Sequence, residues 1–319
     1  MTKLPINHSL KLIPLESKSS KILSLVVLCL LSGGIFSLIG TGLASLFFHI
    51  PFEEMSNVFQ NMEDANNVAV LKFLQFFNTL GLFIIPGIIF SYFNYTNRQE
   101  ELKINRIGKL NDYSLIILLF ILLIPIVNYT VKLNELIVLP DFLKSLEDWM
   151  KSSEENAKQL TTVFLTMTSI PQLLFNLFLI AVLPAIGEEL IFRGILQQTI
   201  NQNLKNYHIG IWISAALFSA IHFQFYGFFP RMLLGAFFGY LLAWSGNLWL
   251  PIFAHFINNA TGVLTAYFMG SETIESELDQ IGTQEGSEYF TLIALLLFAV
   301  LFNQFKKAQK NPAQGGISF

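Results

Sequence analysis

Apolar residues along this chain are gathered into long runs separated by shorter polar connections. A membrane-crossing helix needs about 20 mostly apolar residues. Runs of that kind fall at 22–48, 68–93, 113–131, 174–200, 207–225, 231–245, 248–268 and 289–305. They predict an all-α, polytopic membrane fold with about eight transmembrane helices, the run at 231–245 being the shortest. Pro86, Pro125 and Pro184 lie inside runs. That position is tolerated in a membrane because neighbouring helices re-satisfy the freed backbone groups.

The polar connections then predict orientation, through the Lys and Arg they hold. Lys3, Lys11, Lys18 and Lys21 precede the first run, and Arg98, Lys103, Arg106 and Lys109 follow the second. The connection between those two runs carries Glu53, Glu54, Glu63 and Asp64 with no Lys or Arg. The stretch 271–288 is acidic in the same way, and Lys306, Lys307 and Lys310 follow the last run. Eight spans with both termini cytoplasmic satisfy this alternation. The connection 132–160 dissents mildly, with four lysines against six acids on the expected external side. It is long enough to be an amphipathic element lying on the surface. Three parts are expected: N-terminal membrane helices at 1–170, a core at 171–268, and an external loop, last helix and basic tail at 269–319.

Composition narrows the class. Only 13% of residues are charged and 53% are hydrophobic, with 32 Phe and a mean hydropathy of +0.55. A soluble domain carries roughly 25% charged residues. The net charge of -3 points to no nucleic-acid partner. The single cysteine, Cys29, rules out a disulfide framework and a cysteine-based metal site. The first apolar run is too long for a signal-peptide core, so it reads as a retained span.

Charge inside the apolar runs is where chemistry is expected, because an intramembrane charge costs several kcal/mol and is a functional-site candidate by default. Glu188 and Glu189 sit side by side in LFLIAVLPAIGEELIFRGIL, four residues before Arg193. On a helix Glu189 and Arg193 can pair at i,i+4. Glu188 is rotated from Glu189 by about 100°, so it is free to face a cavity. A structural ion pair alone would leave Glu188 unpaired. Phe218 and His222 follow in the next run, and His255 with Asn259 in a later one. Singly, each has a bland reading as a packed or hydrogen-bonded core residue. Together they fall at matching depth: at about 1.5 Å per residue, Glu188 lies roughly 18 Å from Ile200, His222 roughly 22 Å from Tyr207, and His255 and Asn259 roughly 10 and 16 Å from Leu248. Gly235 and Gly239 in GAFFG would let the intervening helix pack closely.

Two chemistries fit a carboxylate, two imidazoles and a carboxamide. Glu188 and His222 would deprotonate a water while His255 and Asn259 donate to the tetrahedral oxyanion. Alternatively, Glu188, His222 and His255 would hold zinc. The HExxH spacing of zincins and the GxSxG of serine hydrolases are both absent.

Glu188-Glu189-Leu-Ile-Phe-Arg193, Phe218-Ser-Ala-Ile-His222 and His255-Phe-Ile-Asn-Asn259 resemble the EExxxR, FxxxH and HxxxN motifs of the CPBP family. This family of intramembrane proteases includes CAAX proteases and bacteriocin-processing (Abi) enzymes. The likeness covers about residues 175–265. It implies an intramembrane endopeptidase of the glutamic type. The residues matching Glu188 and His222 would activate water, and those matching His255 and Asn259 would form the oxyanion site. Glu189 and Arg193, with Phe218, would support them. It implies no cofactor, with zinc as the alternative, since members have been labelled metalloproteases. The expected partners are the lipid bilayer and a peptide or protein tail, lipidated or not, in a bacterial-type inner membrane. The competing expectation is a non-catalytic immunity or scaffold protein, a role some members are thought to have. A transporter with a proton relay is disfavoured, because the polar residues cluster in one half with no inverted repeat.

Overall fold

A computed structural model describes residues 18–309, apart from 63, 137–138, 205, 272–280 and 285. The N-terminal lysines 3 and 11, Lys310 and most of the acidic stretch 271–288 lie outside the described residues. Among the described residues there are nine principal helices and no strand. They are α1 (Lys18–Phe48), α2 (Ala65–Asn94), α3 (Leu110–Glu135), α4 (Lys144–Leu165), α5 (Ile170–Gln202), α6 (Tyr207–Ala220), α7 (Phe228–Ser245), α8 (Trp249–Met269) and α9 (Glu288–Gln309). The chain is thus an all-helical, multi-pass membrane protein. Six of these helices, α1, α2, α3, α5, α7 and α9, are long and apolar enough to cross a membrane.

The other two expected spans differ from the sequence reading. The run at 207–225 forms a helix of only 14 residues, which ends at Ala220. Its length, roughly 21 Å, is short of a hydrocarbon core, and the chain turns back through 221–227 into α7. His222 therefore stands in a turn and not within a helix. The reason is visible in what holds that turn. Asn134 of α3 donates its side-chain amide to the carbonyls of Phe225 and Tyr226, and Glu154 of α4 accepts from the Tyr226 N–H at 3.2 Å. Helix α8 has the length to span, 21 residues, but His255, Asn258, Asn259, Thr261 and Thr265 dilute its apolar character.

The connection at 132–160 contains the amphipathic helix foreseen from its composition. Helix α4 exposes most of its charged residues and buries Phe164 and Leu165 at its end. It reaches the α6–α7 turn, where Trp149 and Phe225 meet with ring centroids 5.1 Å apart.

Helix α5 is the centre of the bundle, with α2, α6, α7 and α8 all against it. Small residues allow this. A Cβ at Gly187 would come within 2.9 Å of Phe83, and the α2 backbone lies just behind. Two stretches of α5, Leu177–Val182 and Leu190–Gln197, have wide π-type turns. Such turns are rare and are frequent at functional sites. They flank the Glu188–Glu189 pair.

Candidate active site

Arg193 organises the polar cluster from inside the protein. Its side chain is fully buried, and Nη1 donates to Glu189 Oε1 at 2.7 Å. Nη2 donates to the carbonyl of Gly235 on α7 at 2.9 Å. The guanidinium also lies 4.5 Å from the Phe218 ring centroid, on α6. One cation thus ties α5, α6 and α7. Gly235 suits this close approach, because a Cβ would stand a tight 3.1 Å from Nη2 and 3.2 Å from Ala215 of α6. One turn further the arrangement repeats, with Gln197 donating to the Gly239 carbonyl at 3.0 Å. The GAFFG sequence does bring α7 close, and its two bare carbonyls serve as acceptors.

Glu189 has a second partner. Its Oε1 accepts from His255 Nδ1 at 2.9 Å. An ionised carboxylate only accepts, so Nδ1 carries the proton. His255 is buried and stacks on Phe238 of α7, with centroids 5.2 Å apart and planes 15° apart. Its other nitrogen, Nε2, then faces Glu188, whose Oε2 is 3.9 Å away. That gap is too long for a direct hydrogen bond and suits an atom placed between the two. Glu188 itself, buried but not fully so, has no hydrogen bond to another described residue.

His222 sits in the α6–α7 turn with its Nδ1 2.8 Å from the carbonyl of Phe218. A carbonyl cannot donate, so Nδ1 holds the proton and Nε2 of the neutral ring has its lone pair free. Phe218 stands between the two imidazoles, 5.2 Å from the His222 ring and 5.8 Å from that of His255. The residue after His222, Phe223, has a φ of 53°. A bulky side chain in the left-handed region is strained by about 1–3 kcal/mol, and such strain persists where the surroundings over-determine it. The bonds from Asn134 and Glu154 to this turn do so.

The structure therefore brings Glu188, Glu189, Arg193, Phe218, His222 and His255 into one cluster. Asn259 lies one turn from His255 on α8. Its amide donates to the Ile180 carbonyl of α5 at 3.0 Å and its oxygen accepts from Asn258 at 3.0 Å. Both ends of this carboxamide are thus oriented, and one amide hydrogen is left uncommitted.

Arg231, at the start of α7, was not singled out from the sequence. It read there only as the edge of an apolar run. Its Nη2 donates to Gln224 at 2.6 Å, while Nη1 is buried without a partner. Through Gln224 it is tied to the same α6–α7 turn that carries His222. The signal that would have found it is the same as for Arg193: a guanidinium next to an apolar span. Among the described residues no three His, Cys, Asp or Glu side chains converge closely enough to hold a metal ion. A zinc ion would need three such ligands at about 2.0–2.3 Å.

Residues 170–261 match the model of the family described as type II CAAX prenyl endopeptidase Rce1-like. All seven residues of the three motifs lie inside that segment. The chain is also 30% identical over 139 residues to the uncharacterized protein YpbD of Bacillus subtilis (strain 168), an overlap of 42% of this chain and 66% of that protein. No solved structure matches.

Proposed function

From the match of residues 170–261 to the family described as type II CAAX prenyl endopeptidase Rce1-like, we propose that this chain is an intramembrane endopeptidase. It would hydrolyse peptide bonds by water activated between Glu188 and His222. The observation that carries this reading is the division of labour between the adjacent carboxylates. Glu189 is held by Arg193 and His255, while Glu188 has no hydrogen bond to another described residue and faces Nε2 of His255.

In this mechanism Glu188 takes the proton of the attacking water, and the free Nε2 of His222 orients that water. The oxyanion formed on the scissile carbonyl accepts from His255 Nε2–H and from the uncommitted amide hydrogen of Asn259. With Nδ1–H given to Glu189, donation from Nε2 uses the imidazolium form. Arg193 and the imidazolium then offset the two carboxylates, with Arg231 a further cation at the start of α7. Glu188 next delivers its proton to the departing amine, which completes hydrolysis without a covalent intermediate. The substrate is a peptide or protein tail, lipidated or not, that reaches the cluster within the membrane of a bacterial-type cell. A lysine and arginine asymmetry in the connections supports cytoplasmic termini. Reporter fusions should read inside at 97–109 and outside at 48–64, and the opposite result would overturn this orientation.

The decisive experiment compares peptide termini in cells carrying the wild type and Glu188→Gln. Termini that vanish in the variant identify substrates. An unchanged set, with the variant present at normal abundance, would favour a non-catalytic scaffold or immunity role. Elemental analysis of the purified protein separates the zinc version. We expect no stoichiometric metal and activity that survives a chelator able to enter the micelle. Inhibition reversed by one equivalent of zinc, and absent together with the metal in His255→Ala, would replace water activation by a metalloprotease.

A further inference from the structure

A second polar feature lies outside the family segment's motifs. A cavity of about 900 Å³ opens between α1, α2, α4 and the start of α5. Its walls are largely apolar, with Phe48, Phe73, Phe76, Met167 and Phe178 among them. Phe178 is 44% exposed, so the cavity reaches the protein surface at that wall. No described lining residue is acidic. One is cationic: Lys72, whose residue surface is only 8% exposed.

Lys72 has neither an ion-pair nor a hydrogen-bond partner among the described residues. It begins the third turn of α2, roughly 10 Å along the helix from Ala65. Lysines at that depth ordinarily extend their stems to place the ammonium in the interfacial water. Lys72 instead lines the cavity, along with Phe48 and Val163, and only 8% of its residue surface is exposed. A largely buried lysine without a counter-charge is costly, and a cavity with one positive group in an apolar wall has the make-up of a ligand site.

We propose that this cavity binds an anionic single-chain amphiphile. Its carboxylate or phosphate would pair with Lys72, and its hydrocarbon chain would lie against the phenylalanines. The volume is that of a whole small amphiphile, near the top of the usual range of about 300–1,000 Å³ for ligand sites. The cavity is separate from the cluster around Glu188. Phe178, the lining residue nearest to Glu188 in sequence, precedes it by ten residues, roughly 15 Å along the helix. The inference therefore does not depend on the protein being a protease.

The test is binding of three probes to the full chain in a neutral maltoside detergent, read by native mass spectrometry and by displacement of a fluorescent fatty acid. The probes are oleate, oleoyl lysophosphatidic acid and oleyl alcohol. Oleate or the lysophosphatidic acid should bind, and whichever is tighter assigns the head as carboxylate or phosphate. Lys72→Met, which keeps the length and removes the charge, should weaken the anionic probes by about tenfold or more, as for a lost charge-assisted hydrogen bond. Lys72→Arg should retain them. Ala69→Trp, which fills the cavity and leaves Lys72 in place, should abolish both and serves if Lys72→Met does not accumulate. Oleyl alcohol binding as tightly as oleate would overturn the proposal. So would affinities unchanged in the two charge and cavity variants, or no binding of either anion.

Discussion

Arg193 in the core segment and Lys72 in the N-terminal helices are both cations buried in apolar spans, and their neighbours differ throughout. Arg193 has a carboxylate, a backbone carbonyl and an aromatic face. Lys72 has an apolar cavity and no described partner. The first charge is paired within the fold through both terminal nitrogens and holds three helices together. The second is left open to something outside the fold. Depth in the membrane does not distinguish a structural charge from a binding one; the accounting of its partners does. The same contrast recurs within the cluster, where Glu189 is paired through Oε1 and Glu188 has no described hydrogen bond.

The comparison is sharpest at the two carboxylates. Glu188→Gln should lower turnover by about 10²–10⁴, the range for a lost general base, with the melting temperature of the purified protein unchanged. Equal turnover would put the open carboxylate outside the chemistry. Arg193→Met should do the reverse, costing about 3–5 kcal/mol of stability by stranding Glu189, measured as lost abundance and a lower melting temperature. Lys72→Met should not lower the melting temperature at all, since it removes an unpaired charge. A destabilised Lys72→Met would mean that the lysine is saturated by the fold after all.

Asn259→Ala should cost about 10²–10³ in turnover with little change in KM, as for one oxyanion donor. If KM and stability move instead, its bond to the Ile180 carbonyl is its whole role. The smallest effect expected is that of Glu154→Ala, about 1 kcal/mol for one hydrogen bond. It should appear as faster amide exchange in the 221–227 turn, with exchange in α5 unaltered.

Much of this was legible in the sequence, for identifiable reasons. Charge is so expensive in a membrane span that Glu188, Glu189 and Arg193 announce themselves. The i,i+4 spacing that predicts the Glu189–Arg193 pair is local, and the structure bears it out at 2.7 Å. The glycines of GAFFG predict a close approach, although not that their carbonyls accept from Arg193 and Gln197. What was not legible depends on partners far away in the chain. The early end of α6 is held by Asn134 and Glu154, which lie 91 and 72 residues from the groups they bind. Arg231 and Lys72 were missed because each sits near the edge of an apolar run. From the sequence alone a lysine there extends to water, and only packing reveals that it is covered.

The early end of α6 has one more effect. A helix that stops leaves its last carbonyls without an N–H donor. The backbone N–H of His222 has turned to Ser219 at 3.3 Å, so the Phe218 carbonyl accepts its hydrogen bond from the imidazole N–H instead. His222 is in that sense the C-terminal cap of its own helix. Where the helix stops is therefore also where the ring's proton is fixed, and any change that lengthened α6 by a turn would return the carbonyl to the backbone and leave the imidazole free to exchange its two nitrogens.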